Sequence, residues 1–445
     1  MNSKLIEYVE RVSLRLPQRQ AERFLNATPP SLVRRMQAAR FRQTIRLVAE
    51  ASPFYREQFK RRGIDARSVR RPTDLGDFYT TGEDLREYGA EAFIVARPDT
   101  AFETTGTTSR EPKRVFFSNR ELAEVGRASA LGLRQLGLTK DDRVISAFDC
   151  SFWVSPATVR EAFRHIGCFH IEAGKIEPTE FYERARDYEP NVIFGEPSWL
   201  VRLAEVAEQR GAWSLKFILS GGENMTEQAR RRIERVWRAP LYMSYGQTES
   251  FGAMGIECRE QQGYHRNDLN YFLEIADADD EGEGELVYTT LNRDVMPLVR
   301  YRSTDVTRLV EESCACGLFV KRIAKIRARR DEMIVCGMGN VGPWVFAELL
   351  RDAPGACAEW QAVVTSDGRR DAVELRVEAH DPSAQHEIER TVLANLHTHF
   401  PDFWKNREMR LYDLRVTAFP PQSLRTSRKL RRVVDERQML LRSVV

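Results

Sequence analysis

Apolar residues recur at every third or fourth position through roughly the first 90 residues, the repeat of a helix that turns one face to a core. Leu5, Val9, Val12 and Leu16 mark one stripe. Leu32, Met36, Ala39 and Phe41 begin another, with Pro29-Pro30 between the two. After an extended segment at 96–102, short apolar runs alternate with helical stretches. Strands are predicted at 143–148, 191–194, 215–219 and 240–243, and helices at 159–166, 198–208 and 226–237. Such alternation builds a mostly parallel, doubly wound sheet with helices on its faces. Ligands of these sheets bind where loops leave the carboxyl ends of the strands. The loops expected at strand ends are 104–108, 220–223 and 244–249.

Two further strands, 272–275 and 285–289, flank the acidic, glycine-containing run 277–284, which reads as the hairpin loop of a smaller β unit. Beyond about residue 330 the texture becomes α+β. A strand at 333–336, a helix at 344–351 and a hairpin over 361–377 turning at Asp367-Gly368 are followed by a helix at 385–399 and a strand at 410–417. The expected class is α/β. A large multi-sheet N-terminal domain covers 1–330, with a helical start, doubly wound sheets and the small β unit. A compact α+β domain of ordinary size covers 331–445.

The chain has 445 residues, 42% hydrophobic and 30% charged, the composition of a soluble globular protein. No apolar run approaches the ~20 residues of a membrane span. Residues 1–20 lack the apolar core of a secretory signal, so a cytoplasmic location is expected. A net charge of +3 is too small to argue for nucleic acid. Seven cysteines, an odd number, speak against a disulfide framework.

The chemistry begins at Thr104-Thr105-Gly106-Thr107-Thr108, followed by Ser109, Arg110, Pro112 and Lys113. Hydroxyl and backbone N–H donors can wrap anionic oxygens, and glycine permits close approach, so the run suits a polyphosphate. A solvated polar turn is the plain alternative. No G-x-x-x-x-G-K-[ST] is present, which removes the P-loop reading. Cys258 and His265 are spaced C-x6-H, and Cys314 and Cys316 form C-x-C before Gly317. Three thiols and an imidazole are the donor set of a closed tetrahedral zinc site, with ordinary free thiols as the alternative.

In order along the chain, Ser52-Pro53-Phe54-Tyr55, Thr80-Thr81, Thr104 to Thr108, Gly221-Gly222-Glu223, Tyr245-Gly246-Gln247-Thr248-Glu249, Arg300-Tyr301-Arg302-Ser303-Thr304-Asp305, Arg329-Arg330-Asp331-Glu332-Met333 and the stretch 426–434 resemble the acyl-adenylate-forming superfamily. Within it, the likeness is to the phenylacetate–CoA ligase-like branch. The resemblance implies that a carboxylate attacks the α-phosphate of ATP, giving an acyl adenylate and pyrophosphate. A thiol, usually that of coenzyme A, then displaces AMP.

The resemblance also assigns roles. Thr104, Thr105, Gly106, Thr107 and Thr108 would cradle the outer phosphates. Gly221, Gly222 and Glu223 would line the adenine edge, and Tyr245, in the run Ser244 to Gln247, would stack on the base. Glu249, next to Thr248, would hold Mg²⁺ through oxygen. Asp305 would accept from the ribose hydroxyls, with Arg329 nearby. Lys429, on a mobile C-terminal domain hinged at Asp331, would bridge the attacking carboxylate and the α-phosphate. Cys258, His265, Cys314 and Cys316 match, in order, a structural zinc set of this branch. A homodimer is expected only by analogy.

Phe148, Phe152, Trp153 and Trp199 suggest a flat, apolar acid, aromatic or similar, as substrate. The family's glycine before the lysine is Arg428 here, and Ser109-Arg110-Glu111-Pro112 replaces the usual Gly-Lys-Pro. The run 336–343 departs from the usual Gly-Val-Asn-Val-Phe-Pro, which leaves the acceptor open between coenzyme A, a carrier-protein thiol and an amine. A catalytically silent binding protein is disfavoured by the presence of Lys429, Asp305 and Glu249 together.

Overall fold

The structure is a computed structural model that describes residues 8, 11–17, 20, 29–104, 113–150, 152–223, 225, 227–329, 334–366, 371–408, 410–425 and 430–437. The chain divides into two compact units, one of Met1–Ser303 with Thr307–Lys325, the other of Thr304–Val306 with Ile326–Val445.

In the first unit, β1 (Thr100–Glu103) pairs antiparallel with β2 (Arg114–Phe117). Among the described residues, nine strands then form one mixed sheet. Its parallel part runs β4 (Phe169–Glu172), β3 (Arg143–Ser146), β5 (Val192–Gly195), β6 (Phe217–Gly221), β7 (Leu241–Gln247). Helices Val154–Ile166, Pro178–Arg186, Pro197–Arg210 and Glu227–Trp237 make the successive crossovers. All four residues of β5 and all five of β6 are buried, which is why these strands read as unbroken apolar runs rather than as alternations. The order places β3 between β4 and β5, so the connection out of β3 runs to one side, to β4, and that out of the neighbouring β5 to the other, to β6. A crevice opens at such a reversal, outside the carboxyl ends of β3 and β5.

The sheet continues antiparallel through β8 (Gly252–Ile256), β9 (Tyr264–Arg266), β14 (Arg322–Ile323) and β13 (Leu309–Val310). A second sheet contains the antiparallel hairpin β10 (Tyr271–Ala276) and β11 (Gly284–Thr290), with β12 (Tyr301–Thr307) beside β11. The helices start where the sequence supplies acceptors. Ser118 Oγ accepts from Glu121 N–H, and the Glu121 carboxylate accepts from Ser118 N–H at 2.6 Å, opening helix Asn119–Gln135. Among the described residues, no helix is long and apolar enough to cross a membrane.

The second unit packs helices Pro343–Leu349, Gln385–His399 and Pro401–Glu408 with a four-stranded sheet. The sheet order is β20 (Tyr412–Phe419), β19 (Asp371–Ala379), β18 (Ala356–Ser366), β21 (Val433–Asp435). Val364, Val373, Leu375, Phe346, Ile388 and Leu396 are central to its core. A short hairpin, β16 (Ile334–Cys336) with β17 (Gly339–Val341), precedes it. In the same unit β15 (Ala328–Arg329) pairs with the end of β12.

Residues 245–247, expected in a loop, instead extend β7 and pair with β8 across an irregular register. The expected turn at Asp367-Gly368 lies outside the described residues, as do Leu5, Val9 and Met333.

Candidate active site

The carboxyl ends of the parallel strands of the first unit carry many of the anticipated residues. After β3 come Phe148 and Trp153, edge to face with ring centroids 5.4 Å apart. After β5, Trp199 packs edge-on against Phe181 at 4.7 Å and donates its indole N–H to the Ile176 carbonyl at 2.8 Å. All three rings are buried, whereas Phe152 is 71% exposed. Phe152 therefore stands at the surface and not with the other three. Glu196, also at the end of β5 and fully buried, is ion-paired with Lys175 from the loop after β4. Neither residue stands out in the sequence, because a lone Glu and a lone Lys 21 positions apart carry no pattern.

Gly221 ends β6 and Gly222 follows it. A Cβ on Gly222 would meet the Trp153 ring at 2.8 Å, and its φ of +85° lies in the region that glycine favours. Trp153 thus occupies the space that the missing side chain leaves. Ser244 lies opposite on β7, its hydroxyl donating to Ser220 O at 3.2 Å. Tyr245 is buried with its ring 5.6 Å from that of Tyr264. Gln247 donates to Ser303 O at 2.9 Å and accepts from Tyr288 OH at 3.3 Å. The end of β7 is therefore held rigidly before the turn that carries Thr248 and Glu249.

Glu249 is the electrostatic centre of this group. Its carboxylate is 5% exposed, lies 2.5 Å from Lys113 Nζ and accepts from Tyr301 OH at 3.1 Å. Lys113 in turn donates to the same Tyr301 hydroxyl at 3.1 Å. Burial alone would raise the Glu249 pKa. The Lys113 charge, with the hydrogen bonds from Lys113, a backbone N–H and Tyr301, together outweighs burial, and the carboxyl is held below its ordinary value. Lys113 also closes the base of the threonine-rich loop: Thr104 N–H donates to Lys113 O at 2.9 Å, and Lys113 N–H donates to Thr104 Oγ1 at 3.1 Å. The sequence shows Lys113 only as part of a basic tail to that loop. Its pairing with a glutamate 136 residues away follows from tertiary structure alone.

Asp305 and Arg329 belong to the other unit. They face each other across β12 and β15, with Arg329 Nε 3.8 Å from Asp305 Oδ1 and Arg329 donating to Thr304 Oγ1 at 2.8 Å. Thr105, Gly106, Thr107, Thr108, Asp331 and Lys429 lie outside the described residues.

Cys258, His265, Cys314 and Cys316 come together in the first unit, with one donor atom from each, all within 4.8 Å of one another. The Cys258 and Cys314 sulfurs are 3.7 Å apart, and Cys316 Sγ is 3.2 Å from His265 Nε2. Ligands of a tetrahedral zinc with ~2.3 Å Zn–S bonds stand about 3.8 Å apart, so this spacing fits the ion. His265 Nδ1 is 2.8 Å from the Val320 carbonyl. A carbonyl can only accept, so Nδ1 carries the proton and Nε2 turns its lone pair to the thiols. Burial lowers the His265 pKa, which favours the neutral ring that a metal needs.

Two family models match: "AMP-binding enzyme" over residues 101–290 and "AMP-binding enzyme C-terminal domain" over residues 339–437. The phenylacetate–coenzyme A ligase of Thermus thermophilus is 29% identical over 448 residues, covering 93% of this chain and 99% of that protein. That of Escherichia coli is 26% identical over 365 residues, covering 78% and 83%. A crystal structure of 2-hydroxyisobutyryl-CoA ligase in the postadenylation state shares the fold, with a TM-score of 0.80 at 20% identity over 94% of this chain and 92% of that one. An O-succinylbenzoate coenzyme A synthetase from Bacillus subtilis, bound to ATP and magnesium, shares it with a TM-score of 0.56 at 18% identity, over 76% and 69%. The chain belongs to the acyl-adenylate-forming superfamily of AMP-binding enzymes, in its phenylacetate–coenzyme A ligase-like branch.

Proposed function

We propose that this protein uses ATP to convert a carboxylic acid into an acyl adenylate and then transfers the acyl group to the thiol of coenzyme A. The observation that carries the reading is the buried Lys113–Glu249–Tyr301 cluster at the base of the threonine-rich loop. An ionised carboxylate is costly to keep in a nearly dry site unless something cationic needs it there. In the adenylating reaction that cation is Mg²⁺, held through Glu249, which would offset charge on the phosphate oxygens. Lys113 holds the carboxylate in the meantime and stands where the triphosphate arrives.

The acid oxygen forms a bond to the α-phosphorus, and the bond to the bridging oxygen of pyrophosphate breaks. Lys429 stabilises the charge that builds on the α-phosphate oxygens. Thr104 to Thr108 hold the outer phosphates by hydroxyl and N–H donors. Gly221, Gly222, Glu223, Ser244, Tyr245, Gly246 and Gln247 form the nucleotide-facing edge, and Asp305 accepts from the ribose diol with Arg329 beside it. In the second step the thiol sulfur bonds to the acyl carbon, AMP leaves and the thiol proton is lost. Asp331 is the hinge about which the C-terminal domain moves between the steps. Phe148, Trp153 and Trp199 favour an aromatic acid.

A panel of benzoic, arylacetic and short aliphatic acids, assayed for pyrophosphate with and without coenzyme A, tests the reading. Acid-dependent pyrophosphate, with AMP and a CoA thioester in equal amounts when coenzyme A is present, is expected. Pyrophosphate without a thioester points to an amine or carrier-protein acceptor. No pyrophosphate with any acid sinks the proposal.

Cys258, His265, Cys314 and Cys316 would supply all four ligands of a tetrahedral zinc and leave no open position, which makes the ion they would hold structural. Elemental analysis is expected to find about one zinc per chain, and Cys316→Ser to lose it and lower the melting temperature. A zinc-free preparation that melts at the same temperature as one reconstituted with zinc would show the four to be free thiols.

A further inference from the structure

The turn 248–251, which carries Glu249, is strained and is held from outside. Phe251 is buried with a φ of +60°, a left-handed conformation that bulky side chains rarely take. Strain of this kind persists only where the surroundings over-determine it. Tyr271 OH donates to Ser250 O at 2.9 Å. Arg293, in the connection between β11 and β12, turns Nη2 to Glu249 O at 3.5 Å, a long contact. The Phe251 ring stacks on that of Phe117, the last residue of β2, with centroids 3.6 Å apart and planes 13° apart. The Arg293 guanidinium lies 4.3 Å from the centre of each ring.

Arg293 therefore touches the carbonyl of Glu249, the aromatic residue two positions on, and the strand that leads away from the threonine-rich loop. Its own base is fixed. Glu121 accepts from Asp294 N–H at 2.8 Å and Val295 N–H at 3.3 Å, and Asp294 accepts from Arg120 at 2.9 Å. Arg293 itself is buried, and its Nη1 has no hydrogen-bond partner. Glu121 offsets part of its charge, but the Glu121 oxygens are also taken up by backbone N–H groups. A buried guanidinium so incompletely satisfied is a poor source of stability, and an apolar side chain would pack beside two phenylalanines at less cost. What the guanidinium alone supplies is a flat cationic face for the rings together with an N–H directed at a carbonyl.

Resting on the reading of Glu249 as the magnesium-holding carboxylate, we propose that Arg293 is a positioning residue for it. It fixes the Glu249 turn against β2 and so sets the carboxylate relative to Lys113 and the base of the threonine-rich loop. A reacting group misplaced by about 1 Å costs on the order of 100-fold in rate. The cost falls on adenylation, because the polyphosphate charge that Glu249 helps to offset is gone once the adenylate exists.

The test is Arg293→Lys in the full chain, which keeps the charge and loses the planar fork. The substrates are the best acid of the panel and its chemically synthesised adenylate. Half-maximal pyrophosphate release is expected to need about 10-fold more magnesium, while thioester formation from supplied adenylate and coenzyme A is unchanged. In the protein free of metal and nucleotide, amide hydrogen exchange across 248–252 is expected to be about 10-fold faster, with β18, β19 and β20 exchanging as in the wild type. Wild-type exchange at the turn overturns the inference, as does a wild-type magnesium dependence. Equal loss in both half-reactions marks a merely structural role and overturns it too. Should Arg293→Lys not fold, Phe117→Leu removes one of the two rings and is expected to give both changes at about 3-fold; absence of either overturns the inference. Glu249→Gln, run alongside, separates the two levels. If it loses adenylation and Arg293→Lys leaves the magnesium dependence unchanged, only the inference falls. If Glu249→Gln keeps wild-type release, the assignment of Glu249 falls and the inference with it.

Discussion

Glu249→Gln is expected to lower acid-dependent pyrophosphate release by about 100-fold or more, since it removes the carboxylate that would hold Mg²⁺ against the charge of the reacting phosphates. The glutamine has the same outline and can still accept from Tyr301, whose hydroxyl is 3.1 Å from Glu249 Oε1. It cannot neutralise Lys113, 2.5 Å away and largely buried. An unpaired buried ammonium costs about 3 kcal/mol, so the variant should also unfold at lower denaturant concentration. The double variant Glu249→Gln/Lys113→Met should recover much of that stability and none of the activity, which tells a folding defect from a chemical one.

The sign of the pH dependence follows from the direction of the shift. The folded metal-free protein holds this carboxyl below its ordinary 4.5. Its contribution to stability is thus fully present above about that pH and is lost as pH falls through the lower folded value. The acid unfolding of Glu249→Gln should lack this component. Wild-type pyrophosphate release by Glu249→Gln, with the usual magnesium requirement, would remove the assignment.

Lys429→Ala is the second large effect. Pyrophosphate release is expected to drop about 100- to 1,000-fold, the range for losing one group that stabilises transition-state charge. Thioester formation from supplied adenylate should persist. Lys429→Arg should recover little, because a planar guanidinium cannot place a point charge where the flexible ammonium does. Near-normal adenylation in Lys429→Ala would refute the role, and the neighbouring arginines would then become the candidates to examine.

These two residues differ in how they could be recognised. Lys429 is legible only as a position in an ordered set of motifs, since a lysine among arginines has no local signature. Glu249 is legible in the same way, but the reason it can act is not: Lys113 and Tyr301 meet it from 136 residues before and 52 residues after. The four metal-binding candidates were readable from residue type and spacing, though C-x6-H and C-x-C say nothing of whether the two pairs meet. The antiparallel pairing of β9 with β14, with His265 opposite Arg322, brings them together.

The period of apolar residues along the chain determined which segments become strands and helices, because burial on one or both faces is a local property of the pattern. It therefore yielded the parallel α/β core, the β hairpin of 271–290 and the α+β tail. It misplaced the end of β7, where Tyr245-Gly246-Gln247 continue as strand, because pairing with β8 is a long-range matter that loop-like residues do not reveal. It also passed over β4, a short edge strand whose Phe169 is exposed. Only the tertiary structure decided the strand order that opens a crevice beside β3. It alone set Trp153 against Gly222 and the charge balance around Glu249. Each of these depends on distances between residues far apart in the chain, and composition and periodicity hold no record of such distances.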